Sequence, residues 1–288
     1  MNDKNIAIID IGSNSVRERI SSNGKVFFRK VITTQLAKNR QNGILDKVSI
    51  CRTFEALDLL VKKATDCNAQ IFAFATAAVR NASNQGEFCS EFFSRYGITL
   101  DVLSGDKEAQ IGLLGALDGG DGTVIDVGGA STEIITSVGG QIVYSHSMQE
   151  GAVSLTDRCG KNFNEAKDYL SEKIKEFEGV ICHKKAVAIG GTANTVAFIL
   201  SNLTTYDREK TNGFILKKEV LEQKTAELYS LAAEQIEQTY RVEKLRAQVI
   251  HSGALLLLNC LNVTKCDKII LTENDNLEGY YMLKTGGK

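Results

Sequence analysis

Two stretches of this chain repeat one design. "IAIIDIGSNS", residues 6–15, and "TVIDVGGAST", residues 123–132, each run an apolar strand into an aspartate, a glycine turn and small polar residues. The copies lie roughly 115 residues apart, and so long a period belongs to duplicated domains rather than to a stack of short repeats. Crowding Asp and Ser at the end of a buried strand is a poor way to build a core, because buried polar atoms must all find partners. It is a good way to hold a phosphate or a hydrated metal. Successive backbone N–H groups in a glycine turn form an anion-binding concavity, and glycine lets the main chain approach the ligand closely. The repeat therefore predicts two related halves, each with a ligand turn at the end of a strand.

The stretches around the two copies alternate strand and helix. Residues 25–36 have the pattern of a further strand pair, and Val48, Cys51, Phe54, Leu57 and Val61 predict a helix over 47–67. "AQIFAFATAAVR", 69–80, reads as a strand running into a polar turn at Thr76, followed by a helix over 82–97 that stops at Gly97. Residues 98–117 read as a short strand, a turn at Ser104-Gly105, and a helix opening with Asp106 and Glu108. Further on, 165–178, 218–239 and 245–261 look helical, "AVAIGGTAN" (186–194) is a strand ending in a third glycine turn, and 266–274 is a last strand. The class is α/β. The domains expected are 1–119 and 120–288, joined flexibly at glycines 119, 120 and 122, with the last helix packing back on the first domain. In open α/β sheets ligands bind beyond the strand ends, so a cleft between the halves is the natural site.

Composition narrows the partners. The 288 residues are 43% hydrophobic and 24% charged with net charge −1, so no global field draws the chain to nucleic acid or an anionic membrane. A polyanionic ligand has to be held locally. Asp10 interrupts the first apolar run, which removes a secretory pattern, and "ALLLLNCL" is too short to span a bilayer. Seven scattered cysteines without a CxxC read as small apolar residues in a reducing cytoplasm. His146, His183 and His251 lie far apart and read as surface or satisfied histidines. Proline is absent, against a usual share of about 5%, and that absence suggests no function.

A single Asp-x-Gly turn is commonly no more than a turn. Two of them with a third glycine turn, Gly190-Gly191-Thr192, point to phosphate binding, and Asp10 and Asp126 suit a hydrated Mg²⁺ between them. No P-loop lysine motif is present.

"IDIGSNSVR", "ATAAVRNASN", "LSGDKEAQIGLLG", "IDVGGASTE" and "AIGGTANTVA" follow one another along the chain. In this order they resemble the exopolyphosphatase / guanosine pentaphosphate phosphohydrolase family, over about residues 5 to 280. The resemblance implies duplicated ribonuclease H-like domains of the actin-like ATPase fold. It implies a hydrolase that releases terminal phosphate from polyphosphate or guanosine pentaphosphate, with Mg²⁺ as cofactor. Glu108 matches the family's water-activating glutamate. Gly12, Ser13, Asn14, Ser15, Arg17, Thr76 and Arg80 match the phosphate-facing groups of the first domain. Gly128, Gly129, Ser131, Gly190, Gly191 and Thr192 match those of the second, where Ala130 completes the phosphate turn, and Asp126 and Glu133 match its acids; with Asp10 these two acids are the expected metal ligands.

The chain departs from the family at Ala130, where a third glycine is usual, and at Gln35 and Leu277, where arginines are usual. Glu18 and Arg19 stand where the family has apolar residues. These departures bear on chain length and guanosine recognition more than on hydrolysis. The partner expected is the phosphate substrate, with a homodimer as the one assembly considered and neither nucleic acid nor membrane. The rival readings are an ATPase or small-molecule kinase of the same fold, and a non-catalytic alarmone or polyphosphate sensor.

Overall fold

The computed structural model describes residues 5–38 and 42–286. It divides into two compact units, Met1–Ile111 with Asn276–Lys288, and Gly112–Asp275.

In the first unit β1 (Asn5–Ile11), β2 (Ser15–Ser22) and β3 (Lys25–Thr33) form a meander. Helix α1 (Lys47–Asp66) follows, then β4 (Ala69–Ala75), the short α2 (Ala77–Arg80), α3 (Gln85–Tyr96), β5 (Leu100–Val102) and α4 (Gly105–Leu117). The sheet order is β3-β2-β1-β4-β5, with β4 parallel to β1 and β2 antiparallel to it. Asp46 caps α1 by accepting from the Ser49 N–H, and Gly97, at φ +66°, ends α3 in the left-handed conformation that glycine adopts without strain. One core lies between this sheet and α1 and α3, around Ile9, Phe54, Leu57, Phe88 and Phe92.

The second unit repeats the plan. Strands β6 (Gly122–Val127), β7 (Thr132–Val138) and β8 (Gln141–Met148) form its meander. They are followed by α5 (Ala152–Cys159), α6 (Phe163–Lys173), β9 (Ala186–Ile189), α7 (Gly190–Leu200), α8 (Arg208–Thr211) and β10 (Phe214–Lys217). Then come α9 (Lys218–Ser230), α10 (Ala233–Tyr240), α11 (Lys244–Ala247), α12 (Ile250–Val263) and β11 (Lys268–Leu271). Its sheet order is β10-β11-β9-β6-β7-β8. Without the extra antiparallel edge strand β10, that is the order of the first sheet. Helix α12 is buried on nearly every face, as its run of leucines requires. The final helix, α13 (Asn276–Thr285), belongs to the first unit, where Leu277 and Tyr280 join a core with Ile8 and Phe74. The fold is α/β, two ribonuclease H-like domains of the actin-like ATPase kind.

Several expectations are corrected. Strand β2 was not anticipated, because Arg17, Glu18 and Arg19 hide its alternation. The helix expected over 218–239 is two helices, broken where Leu231 and Ala232 turn extended. The glycines expected as a joint have packing roles. Gly119, at φ +72°, closes the end of α4, and a Cβ at Gly122 would stand 2.6 Å from a Leu117 methyl. The two compact units divide within α4, between Ile111 and Gly112. Cys51 is exposed rather than buried as a small apolar residue.

Candidate active site

Both ligand turns have the same local construction. The Gly12 N–H donates to the Ser15 carbonyl at 3.0 Å, and the Gly128 N–H to the Ser131 carbonyl at 2.9 Å. In each turn the two middle residues, Ser13-Asn14 or Gly129-Ala130, are exposed and the flanking pair is half-buried. Ala130 is thus accommodated where the family has a third glycine, because its side chain meets solvent.

The supports of the two turns differ. The first is held by the chain after β3. The Thr34 and Gln35 N–H groups donate to the Asn14 carbonyl at 3.0 and 2.9 Å, and the Ala37 N–H to the Ser13 carbonyl at 2.9 Å. Arg52 of α1 locks that chain in place by donating to the carbonyls of Thr34 and Gln35. The second turn is held by the start of α5. The Ala152 and Val153 N–H groups donate to the carbonyls of Gly128 and Gly129 at 2.9 and 2.8 Å. This approach requires Gly151, since a Cβ there would lie 2.6 Å from the Ala130 nitrogen.

The aspartates also acquire different neighbours. Asp10 lies opposite Arg17 in the β1–β2 register and is ion-paired with it, the Arg17 Nε donating to Asp10 Oδ2 at 3.0 Å. A residue expected at the metal and one expected at the phosphate thus hold each other. Asp126 occupies the equivalent place on β6, and its register partner on β7 is an acid, Glu133. Burial pushes the Glu133 carboxyl above its ordinary range, while the Ser147 and Ser131 hydroxyls act in the opposite sense.

The third glycine turn is the first turn of a helix. Gly190, at φ +84°, Gly191 and Thr192 open the 11-residue α7 directly from β9. A helix N-terminus offers anions its unsatisfied N–H groups and the positive end of its dipole. The Thr192 hydroxyl donates to the Val127 carbonyl at 2.8 Å, which ties this helix start to the second turn. The Asp126 carboxylate presses on Gly190, whose Cβ would stand 3.2 Å from Asp126 Cγ. The Arg246 guanidinium lies over Gly191, whose Cβ would stand 2.9 Å from Arg246 Cζ. Sequence reasoning missed Arg246, because only the packing of α11 brings it to a turn 55 residues earlier.

Thr76 is buried at the start of α2, its N–H donating to the Ile11 carbonyl, and Arg80 ends that helix. Arg80 Nη1 donates to the Leu103 carbonyl at 2.8 Å and to Glu108 Oε2 at 2.7 Å. Glu108 stands in the first turn of α4, where Ser104 accepts from the Glu108 and Lys107 N–H groups. Both side chains of this pair remain 27% exposed, so they are held in place yet open to a ligand.

The chain matches the Ppx/GppA phosphatase family over residues 18–282. It belongs to that family. The structure is similar to that of the Aquifex aeolicus Ppx/GppA family member, with a TM-score of 0.86 at 26% identity, covering 98% of this chain and 97% of that one. An exopolyphosphatase from Cytophaga hutchinsonii shares the fold, with a TM-score of 0.82 at 20% identity over 99% of both chains. A bifunctional 3-dehydroquinate synthase/phosphatase of Fusobacterium nucleatum is 28% identical over 95% of this chain. The chain spans 45% of the length of that relative. Among the described residues no helix is long and apolar enough to cross a membrane.

The donor set bears on a metal. Among the described residues no three His, Cys, Asp or Glu side chains converge on one point. Mg²⁺ does not need them, since it usually takes one or two carboxylates and completes its shell with water and substrate phosphate. Asp126 with Glu133 fits that requirement. Asp10, neutralised by Arg17, fits it less well.

Proposed function

We propose that this chain hydrolyses phosphoanhydrides, releasing the terminal phosphate of inorganic polyphosphate or guanosine pentaphosphate, with water activated by Glu108. The observation that carries this reading is the Arg80–Glu108 pair, which puts a cation that suits phosphate oxygens beside a carboxylate that suits water. Glu108 accepts a proton from the attacking water, the water oxygen bonds to the terminal phosphorus, and the bridging oxygen departs with the shortened chain. Arg80, already anchored on the Leu103 carbonyl, presents the rest of its guanidinium fork to the transferred group. Arg17 and the Gly12–Ser15 turn bind phosphate oxygens on the first unit. The Gly128–Ser131 turn, the α7 N-terminus and Arg246 do so on the second. Mg²⁺, held by Asp126 and Glu133, would offset phosphate charge.

The test is a phosphate-release assay with polyphosphates of several lengths, guanosine pentaphosphate and ATP, with and without Mg²⁺. Mg²⁺-dependent release from the first two, well above that from ATP, is the expected result. Release from ATP alone would replace this reading with an ATPase, and saturable binding of all three without release would replace it with a sensor.

A further inference from the structure

The second unit contains two cysteines whose sulfurs touch. Cys182 lies in the irregular segment before β9, Cys266 in the turn between α12 and β11, and their Sγ atoms are 3.1 Å apart. A disulfide measures about 2.05 Å between sulfurs, so closure needs a movement of about 1 Å. Both partners are anchored by their surroundings. The Cys266 N–H donates to the Leu261 carbonyl at 3.0 Å, closing the end of α12, and Lys265 before it takes φ +55°. Next to Cys182, the His183 N–H donates to the Thr123 hydroxyl at 2.8 Å, and the Lys185 N–H to His183 Nδ1 at 3.1 Å. Neither cysteine is fully buried.

We propose that Cys182 and Cys266 are a redox modification site, a dithiol that small disulfides of the glutathione class oxidise to an intramolecular disulfide. The Cys266 thiol first loses its proton to solvent. Its sulfur then attacks one sulfur of the small disulfide and expels a thiolate, leaving a mixed disulfide on Cys266. Burial, and Cys266 beside it, push the Cys182 thiol above its ordinary value, so Cys182 enters second. It gives its proton to solvent and attacks the Cys266 sulfur, expelling the second small thiolate. The two cysteine sulfurs lose two electrons in all, the small disulfide gains them, and the expelled thiolates take up two protons.

The bond ties the segment entering β9 to the turn entering β11, two strands that run parallel side by side. It therefore lies at the N-terminal ends of these strands. The phosphate-binding turns follow the opposite, C-terminal ends of β6 and β9. Oxidation should leave hydrolysis unchanged within about twofold while closing a loop of some 85 residues, which raises resistance to unfolding.

The reduced chain is incubated across a series of oxidised-to-reduced glutathione ratios, its remaining thiols are alkylated, and its peptides are mapped. A linked Cys182–Cys266 peptide pair is expected in the wild type and in Cys51→Ser, accompanied by a higher unfolding temperature. In Cys182→Ser the glutathione should remain on Cys266, since no second thiol resolves it. If Cys182 and Cys266 stay unmodified, or carry separate glutathiones, at ratios where the exposed Cys51 is glutathionylated, the proposal is overturned.

Discussion

Glu108→Gln separates chemistry from architecture. The side chain keeps its shape and can still accept from Arg80 Nη1, a contact that now measures 2.7 Å. The structural cost is small, because ion pairs that face solvent contribute about 0–1 kcal/mol, and this pair is 27% exposed on both sides. The helix start survives as well, since Ser104 rather than Glu108 accepts the first N–H groups of α4. The chemical cost is large. A positioned general base contributes about 10²–10⁴-fold, which corresponds to roughly 2.7–5.4 kcal/mol of transition-state stabilisation. The variant should unfold within a few degrees of wild type, keep its KM, and lose at least about 10² in kcat. Initial phosphate release at saturating substrate, set beside a thermal unfolding curve, reads both quantities. A folded variant with near wild-type kcat would remove Glu108 from proton transfer. One that lost kcat only in proportion to unfolding would make the residue structural.

Three further outcomes follow from the same geometry. Gly190→Ala forces a Cβ onto φ +84° and against Asp126, whereas at Gly191 the obstacle is the flexible end of Arg246. Gly190→Ala should therefore lower the unfolding temperature of the second unit and abolish turnover, while Gly191→Ala stays folded with a raised KM; equal unfolding temperatures for the two variants would refute the distinction. Glu18 is fully buried on β2, facing Lys63 of α1 and opposite Lys30 of β3, and burial raises its carboxyl from 4.5 to about 8. The folded chain thus holds a proton that the unfolded chain releases, so wild-type stability should fall as pH rises from about 4.5 to 8 and then level off. Glu18→Gln should lack that decline, and parallel unfolding temperatures for the two proteins across pH 5–9 would contradict it. Finally, with net charge −1 and no arginine at Gln35 or Leu277, short polyphosphates should be hydrolysed about as fast as long ones at equal end concentration, with modest salt dependence. A steep preference for long chains would mean that a basic track exists elsewhere on the surface.

Periodicity revealed most of the architecture because most elements bury one clear stripe. Helix α1 shows its apolar spacing openly, and the left-handed Gly97 marks the end of α3. Strand β2 escaped because its charges are buried on both faces. Glu18 sits in the layer beneath α1. Arg19, on the opposite face, lies 4.1 Å from the ring centre of Tyr281 and 3.8 Å from Glu278, with Arg29 joining the same carboxylate. Arg19, which departs from the family's apolar pattern, thus joins Arg29 in fastening α13 to the β2–β3 hairpin. Leu277, where the family has an arginine, is itself a core residue where α13 packs on β1 and β4. A sequence shows that charge has replaced apolar surface, but only the fold shows which partner makes the replacement tolerable.

The same limit governs the site. The two Asp-x-Gly turns are legible because each is local, and their matching Gly–Ser hydrogen bonds follow from the repeated residues. What distinguishes them is set by strand register. The position opposite Asp10 is Arg17 and the position opposite Asp126 is Glu133. In "DIGSNSVR" and "DVGGASTE" these residues stand at the same distance from the aspartate, so the asymmetry is written in both copies. It becomes chemistry only once β2 and β7 fold back and turn a spacing of seven residues into a lateral contact. Duplication supplied two equivalent turns. One substitution of sign at the facing position leaves the first aspartate neutralised and ordering an arginine, and the second with an acid beside it. The proposed assignment of Mg²⁺ to Asp126 and Glu133 rather than to Asp10 rests on that difference of register, because a hard divalent cation takes carboxylate oxygens.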